Sequence, residues 1–154
     1  RLGTLRFLAL FVVTAVAGAL MHYAVHPVEF VPVVGASASV SGIMAASIRF
    51  IFQPGAPLGP PVWHHPLPPD IAARLPAVSL RGAFKDRRVL QFTLIWFAIN
   101  FIFGIASVPL GVTTSAVAWE AHAGGFIAGF VLFSLFDRAP IDRSVVEDWY
   151  RTRF

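Results

Sequence analysis

The sequence predicts an all-α membrane protein, a polytopic bundle of four transmembrane helices. Composition is the first indication: 56% of the 154 residues are hydrophobic and only 13% are charged, whereas a soluble globular domain carries about 25% charged residues. A soluble fold of this length could not bury so much apolar surface and still present a charged exterior. The length of the apolar stretches and the positions of the basic residues are the other two observations.

Four apolar stretches are long enough to cross a bilayer, which takes about 20 residues. They span residues 5–23, 31–52, 89–110 and 117–136. The third and fourth are predicted to be separate spans because Pro109 and Gly111 lie between them and favour a turn.

The basic residues are distributed asymmetrically along this layout. All 12 Lys and Arg lie before or at the start of the first span, around the connection between the second and third, or after the fourth. The connections at residues 22–30 and 110–116 contain none. The positive-inside rule therefore predicts that both chain ends and the middle connection are cytoplasmic. We expect a multi-pass protein of the bacterial inner (plasma) membrane, whose net charge of +4 reflects topology rather than nucleic-acid binding.

The middle connection, residues 53–88, is rich in proline, which predicts an extended segment with little structure apart from a short helix near residues 71–75. Residues 137–154 form the predicted cytoplasmic tail. The adjacent His64 and His65 do not indicate a metal site, because zinc needs three or four convergent ligands. With no cysteine in the chain, we predict no metal and no cofactor.

Polar residues inside the spans are costly and usually have a role in function or packing. The second span contains Ser37, Ser39 and Ser41 among small residues, and the fourth contains His122. Small residues at helix interfaces let backbones approach closely, so one interpretation is packing alone. Gly42, Gly125 and Gly129 are the glycines predicted to serve that packing.

Ser37 and His122 are predicted to lie at matching depth, about 8–12 Å from the outer face at 1.5 Å per helical residue. A hydroxyl beside an imidazole is the minimum for an activated nucleophile. Spacing alone does not show whether Ser37 or Ser41 is the nucleophile. The backbone at Gly35, Ala36 and Ser37, where the helix begins, can favour a developing oxyanion.

The sequence suggests no third catalytic residue. Glu120 points away from His122 around the helix and is interpreted as interfacial or facing water. Asn100, in the third span, is expected either to bond a neighbouring helix, which we prefer, or to line a polar cavity.

Two motifs resemble those of the rhomboid intramembrane serine proteases. Residues 35–38 resemble the family's GxSG motif, and residues 121–129 resemble the AHxGGFxxG of its last core helix. Residues 1–7 resemble the start of its third core helix. The resemblance implies a Ser–His dyad that cleaves transmembrane segments near the outer membrane face. Ser37 would be the nucleophile and His122 the general base.

The resemblance also implies that the third span corresponds to a mobile helix beside which substrate enters; the alternative is a lipid-facing surface. The aromatic residues concerned are Phe92, Trp96, Phe97, Phe101 and Phe103. Partners would be membrane-protein substrates and the lipid bilayer, with no nucleic acid.

The chain departs from the family pattern at three places. Ala38 replaces the glycine after the serine, and Ser41 replaces an aromatic residue that commonly packs on the histidine. The first two core helices and their HxxxN motif are absent, so residues 1–154 are expected to be a partial rhomboid domain, incomplete as an enzyme by themselves. Two alternatives remain: an inactive rhomboid-like protein that binds membrane clients, and a small transporter or scaffold.

Overall fold

The computed structural model describes residues 1–28, 35–60, 68–72, 74–75, 77–111, 117–137 and 143–152. These residues form helices and their connections, and no β-strand occurs among them. The helices are α1 (Thr4–Val25), α2 (Ser37–Ile51), α3 (Pro69–Ala72), α4 (Leu80–Ala83), α5 (Arg87–Ala106), α6 (Trp119–Phe136) and α7 (Arg143–Arg151). The predicted all-α class is confirmed.

Three of these helices, α1, α5 and α6, are long and apolar enough to cross a membrane, with mean hydropathies of 2.0, 2.0 and 1.3. They overlap the first, third and fourth predicted spans. The protein is therefore an integral membrane protein with a helical bundle.

The second predicted span differs from the structure. Helix α2 has 15 residues, which is shorter than a typical span, and it begins at Ser37. Residues 35 and 36 form a bend, and residues 31–34 lie outside the described part of the chain. Gly35 has a φ of 129°, a conformation that residues with a Cβ rarely adopt. This backbone explains why the helix begins after Gly35 rather than before it.

The backbones of α1, α2 and α6 approach one another closely, whereas α5 packs mainly on α6 and does so through large aromatic side chains. Glycines set the separation of α2 and α6. A Cβ added to Gly125 would overlap the carbonyl oxygen of Ala38, and one added to Gly129 would overlap that of Gly42. Only residues without side chains allow such an approach of two backbones. The predicted packing glycines all lie at this interface.

The buried Arg49 joins α2 to the connection that follows it and to α6. Its guanidinium donates to the carbonyl of Val78 from Nη2 (2.7 Å) and to that of Phe130 from Nη1 (3.1 Å). The amide of Val78 donates in return to the carbonyl of Arg49 at 2.8 Å. This part of the connection is therefore docked on the bundle.

The connection contains more order than its proline content suggested. Helix α3 covers residues 69–72, close to the predicted 71–75, but α4 was not predicted. The hydroxyl of Ser79 caps α4 by accepting from the amide of Gly82 at 3.1 Å, and Ala83 is fully buried. A capped turn with one buried side chain is too short to produce a recognisable periodicity.

Candidate active site

The structure brings Ser37 and His122 together at one end of the bundle. Ser37 is the first residue of α2, and His122 lies in the first turn of α6. The Oγ of Ser37 is 2.8 Å from Nε2 of His122. The close backbone contact between Ala38, which follows Ser37 directly, and Gly125, about one turn after His122, allows this short distance. Ser37 is exposed and His122 is half-buried, so the pair is open to its surroundings.

The two neighbouring serines use their hydroxyls elsewhere. Ser39 donates to the carbonyl of Phe11 on α1 at 2.8 Å. Ser41 donates to the carbonyl of Ser37 at 2.8 Å, within its own helix. Of the three, Ser37 is the serine whose hydroxyl faces His122, which distinguishes it from Ser41 where spacing could not.

Asn100 of α5 contacts the other side of the imidazole. Its Oδ1 is 2.8 Å from Nδ1 of His122, and its Nδ2 donates to the carbonyl of Trp96 at 2.9 Å. The second bond identifies which end of the amide faces the histidine. Of the two expectations for Asn100, the structure therefore shows the bond to a neighbouring helix.

This pair of contacts determines the tautomer of His122. The carbonyl oxygen of Asn100 can only accept, so Nδ1 of the ring must carry the proton and donate it. In the neutral ring Nε2 then has a free lone pair, and it accepts from the hydroxyl of Ser37. A serine that donates to an imidazole lone pair is arranged for proton removal during nucleophilic attack.

The backbone before and within the first turn of α2 surrounds the hydroxyl of Ser37. The first amides of a helix have no acceptor inside it, and the helix dipole adds partial positive charge there. Ala36 precedes the helix, and no side chain caps its N-terminus. The amides of Ser37 and Ala38 are therefore suited to stabilise negative charge that forms on an oxygen beside Ser37.

The structure explains how the departures from the family motifs are accommodated. The methyl group of Ala38 is buried against Gly18 of α1, where an added Cβ would be 2.5 Å from that methyl. Ser41, which occupies the position of an aromatic residue, uses its hydroxyl to bond the carbonyl of Ser37. Asn100 holds the ring instead through a hydrogen bond.

Glu120 lies in the first turn of α6, and its side chain faces the end of α1 rather than open solvent. Of its two interpretations, the one facing water is not supported, and the interfacial one stays a prediction. The Glu120 side chain is 12% exposed and lies 3.3 Å from Nε2 of His26 and 3.8 Å from Nδ1 of His22. Both histidines were missed at the sequence level. Their spacing of four residues at the end of α1, which places both on one helix face, was the available signal.

The aromatic residues of α5 have two different environments. Trp96 stacks on Phe126 of α6 at a centroid distance of 4.4 Å, and Phe101 contacts Trp119 edge-on at 5.3 Å. Phe103 is 52% exposed. Some aromatic side chains of α5 therefore pack on α6, and others point away from the bundle. His64 and His65 lie outside the described residues.

The fold and the site define a helical membrane protein in which a serine hydroxyl is hydrogen-bonded to a histidine ring. Residues 1–138 match the family model of the Rhomboid domain. The chain therefore belongs to the rhomboid family, which comprises intramembrane proteases and inactive homologues. No curated protein and no solved structure matched the chain.

Proposed function

We propose that this protein is an intramembrane serine endopeptidase that hydrolyses peptide bonds in or near the transmembrane segments of other membrane proteins. The observation that carries the proposal is the 2.8 Å distance between Oγ of Ser37 and Nε2 of His122. The hydrogen bond that Nδ1 of His122 donates to Asn100 supports it, because it leaves on Nε2 the lone pair that a general base needs. We also propose that both ends of this chain are cytoplasmic, in a bacterial inner membrane, and that the protein contacts lipid and no nucleic acid.

The reaction would proceed in two halves. The hydroxyl oxygen of Ser37 attacks the carbonyl carbon of the substrate while His122 takes its proton at Nε2. The peptide C–N bond then breaks, and His122 returns the proton to the leaving amine. Water, deprotonated by His122, next attacks the acyl-serine ester, and the proton goes back to Ser37 as the cleaved acid leaves.

Each further part of the site has a defined contribution to this reaction. The amides at the start of α2 would stabilise the oxyanion; removing one such donor costs about 3–4 kcal/mol in well-studied serine proteases. Asn100 would keep the imidazole in the tautomer that can accept a proton. Water reaches the pair from the open end of the bundle, where Ser37 is exposed.

The test is labelling of the purified full-length protein that contains residues 1–154 by a serine-directed covalent inhibitor in detergent micelles. We expect labelling of the wild type and none of Ser37→Ala or His122→Ala. Ser41→Ala is the matched control, because its hydroxyl bonds only the backbone of Ser37 in the structure; it should be labelled like the wild type. Cleavage of a transmembrane substrate in proteoliposomes should follow the same pattern.

Two outcomes would overturn the proposal. Labelling that persists in Ser37→Ala would show that another residue reacts. A wild type that is folded but unlabelled, and that binds membrane proteins without cleaving them, would instead establish the inactive client-binding alternative.

A further inference from the structure

A second group of polar side chains lies at the same end of the bundle as Ser37. His22 is in the last turn of α1, His26 ends that helix, and Glu120 is in the first turn of α6. One ligand atom from each of these three residues lies within 4.8 Å of the others. We refer to them as the His22–His26–Glu120 cluster.

The cluster is more enclosed than an ordinary surface group of charges. The side chains of His22, His26 and Glu120 are 18%, 29% and 12% exposed. A carboxylate removed this far from water is costly unless a cation or hydrogen-bond donors compensate it. The mechanism proposed above uses none of these three residues.

One ring nitrogen of the cluster, Nδ1 of His22, is buried without a hydrogen-bond partner among the described residues. It faces Oε2 of Glu120 at 3.8 Å, which is too long for a hydrogen bond. Buried polar atoms without a partner are rare, and a bound ion is one of the explanations for them.

We propose that the cluster binds a divalent transition-metal ion, with Zn²⁺ the best fit. Two imidazoles and one carboxylate are a known zinc ligand set, in which the fourth position belongs to water. Tetrahedral bonds of about 2.1 Å place neighbouring ligand atoms about 3.4 Å apart. Nε2 of His26 is 3.3 Å from Oε1 of Glu120, and Nδ1 of His22 is 3.8 Å from Oε2 of the same carboxylate. One ligand atom from each residue lies within 4.8 Å of the others, so a small rotation of the carboxylate and rings would bring the three to that separation.

The spacing of His22 and His26 is the part of this site that is visible in the sequence, because Glu120 lies 94 residues after His26 on a different helix. A metal ion bound by the cluster would crosslink the end of α1 to the first turn of α6. Glu120 is two residues before His122, so the ion would hold the turn that carries the candidate general base. It is a stabilising site beside the serine and histidine, with no step in the hydrolysis.

The test measures metal binding to the purified protein in detergent after removal of metals with a chelator. We expect Zn²⁺ to bind at one ion per chain by calorimetry. Glu120→Gln and the pair His22→Gln and His26→Gln should each weaken binding at least tenfold. The replacements keep a polar side chain of similar size, so that the variants fold.

Control variants separate this cluster from the other histidines. Ser37→Ala and the double variant His64→Ala/His65→Ala should bind Zn²⁺ like the wild type. The thermal unfolding midpoint should rise on adding Zn²⁺ in the wild type and in Ser37→Ala but not in Glu120→Gln. Co²⁺ should give the visible absorption of a tetrahedral nitrogen and oxygen site.

Absence of stoichiometric Zn²⁺ binding by the folded wild type would overturn the proposal. So would binding that survives in Glu120→Gln but is lost in His122→Ala or in the His64/His65 variant. These readouts do not depend on serine labelling, so failure of the metal site and failure of the protease proposal are distinguishable.

Discussion

Replacing Asn100 by leucine should impair the reaction of Ser37 without unfolding the protein. The change removes the oxygen that accepts from Nδ1 of His122 at 2.8 Å, and it keeps a side chain of similar volume. Without that acceptor the ring can carry its proton on Nε2 instead, and this tautomer cannot accept the proton of Ser37. The defect therefore arises through His122, and Asn100 is a positioning residue rather than a catalytic one.

The expected size of the effect follows from the kind of hydrogen bond that is lost. His122 becomes positively charged in the transition state, and a hydrogen bond to a charged group contributes about 1.5–3 kcal/mol. At 1.36 kcal/mol for each factor of ten, the rate of inhibitor labelling should fall about 10- to 150-fold. Asn100→Asp keeps an acceptor at the same reach and should recover most of the rate.

Two measurements separate positioning from a general loss of structure. In protein labelled with ¹⁵N-histidine, the His122 signal should show a proton on Nδ1 in the wild type and a shift towards Nε2 in Asn100→Leu. Ile99→Ala, which truncates an exposed neighbour on α5, should change neither rate nor tautomer. An Asn100→Leu protein that labels at the wild-type rate, or that is slow with an unchanged tautomer, would refute the reasoning.

Two further predictions concern the packing that supports the site. Gly125→Ala places a methyl on the carbonyl of Ala38 and should destabilise the protein by about 1–3 kcal/mol in a denaturant titration in detergent. The half-exposed Ile127→Leu should change stability by less than about 0.5 kcal/mol, and equal effects of the two would contradict the proposed close contact. Arg49→Met leaves the carbonyls of Val78 and Phe130 without their donor, which should cost about 1–3 kcal/mol. It should also speed proteolysis of the connection after α2, and unchanged proteolysis would show that the connection is held by other contacts.

The sequence was sufficient to predict the fold class and to single out His122, whereas Ser37 was preferred over Ser41 only through the resemblance to the rhomboid motifs. Apolar length and the positions of the charges do not depend on how the helices are rotated, and they were enough to predict three of the membrane-crossing helices. The serine and histidine were conspicuous because few polar residues interrupt those stretches. The second apolar stretch begins at residue 31, whereas α2 begins at Ser37, close to the helix start that was expected there. The backbone angle of Gly35, which precedes that start, cannot be inferred from composition.

The other contacts of the site depend on how each helix is rotated about its axis. No amphipathic pattern in the sequence indicates that rotation. Helix α5 is apolar on nearly every side, so no amphipathic face indicates which residues point towards α6. The contact of Asn100 with His122 was therefore one of two open expectations. The partners of Glu120 were missed for the same reason, because His22 and His26 lie at the end of another helix, α1.

The residues of the site lie on helices that pack together with different closeness. Ser37 and His122 are on α2 and α6, whose backbones touch at Gly125 and Gly129 and cannot shift without breaking the core. Asn100 is on α5, whose backbone stays further from the other helices because it packs on α6 mainly through aromatic side chains. A displacement of α5 would therefore break the bond that sets the tautomer of His122 while leaving the serine and histidine in place. The reactivity of Ser37 would depend on the position of α5 even though α5 does not contribute the nucleophile or the base.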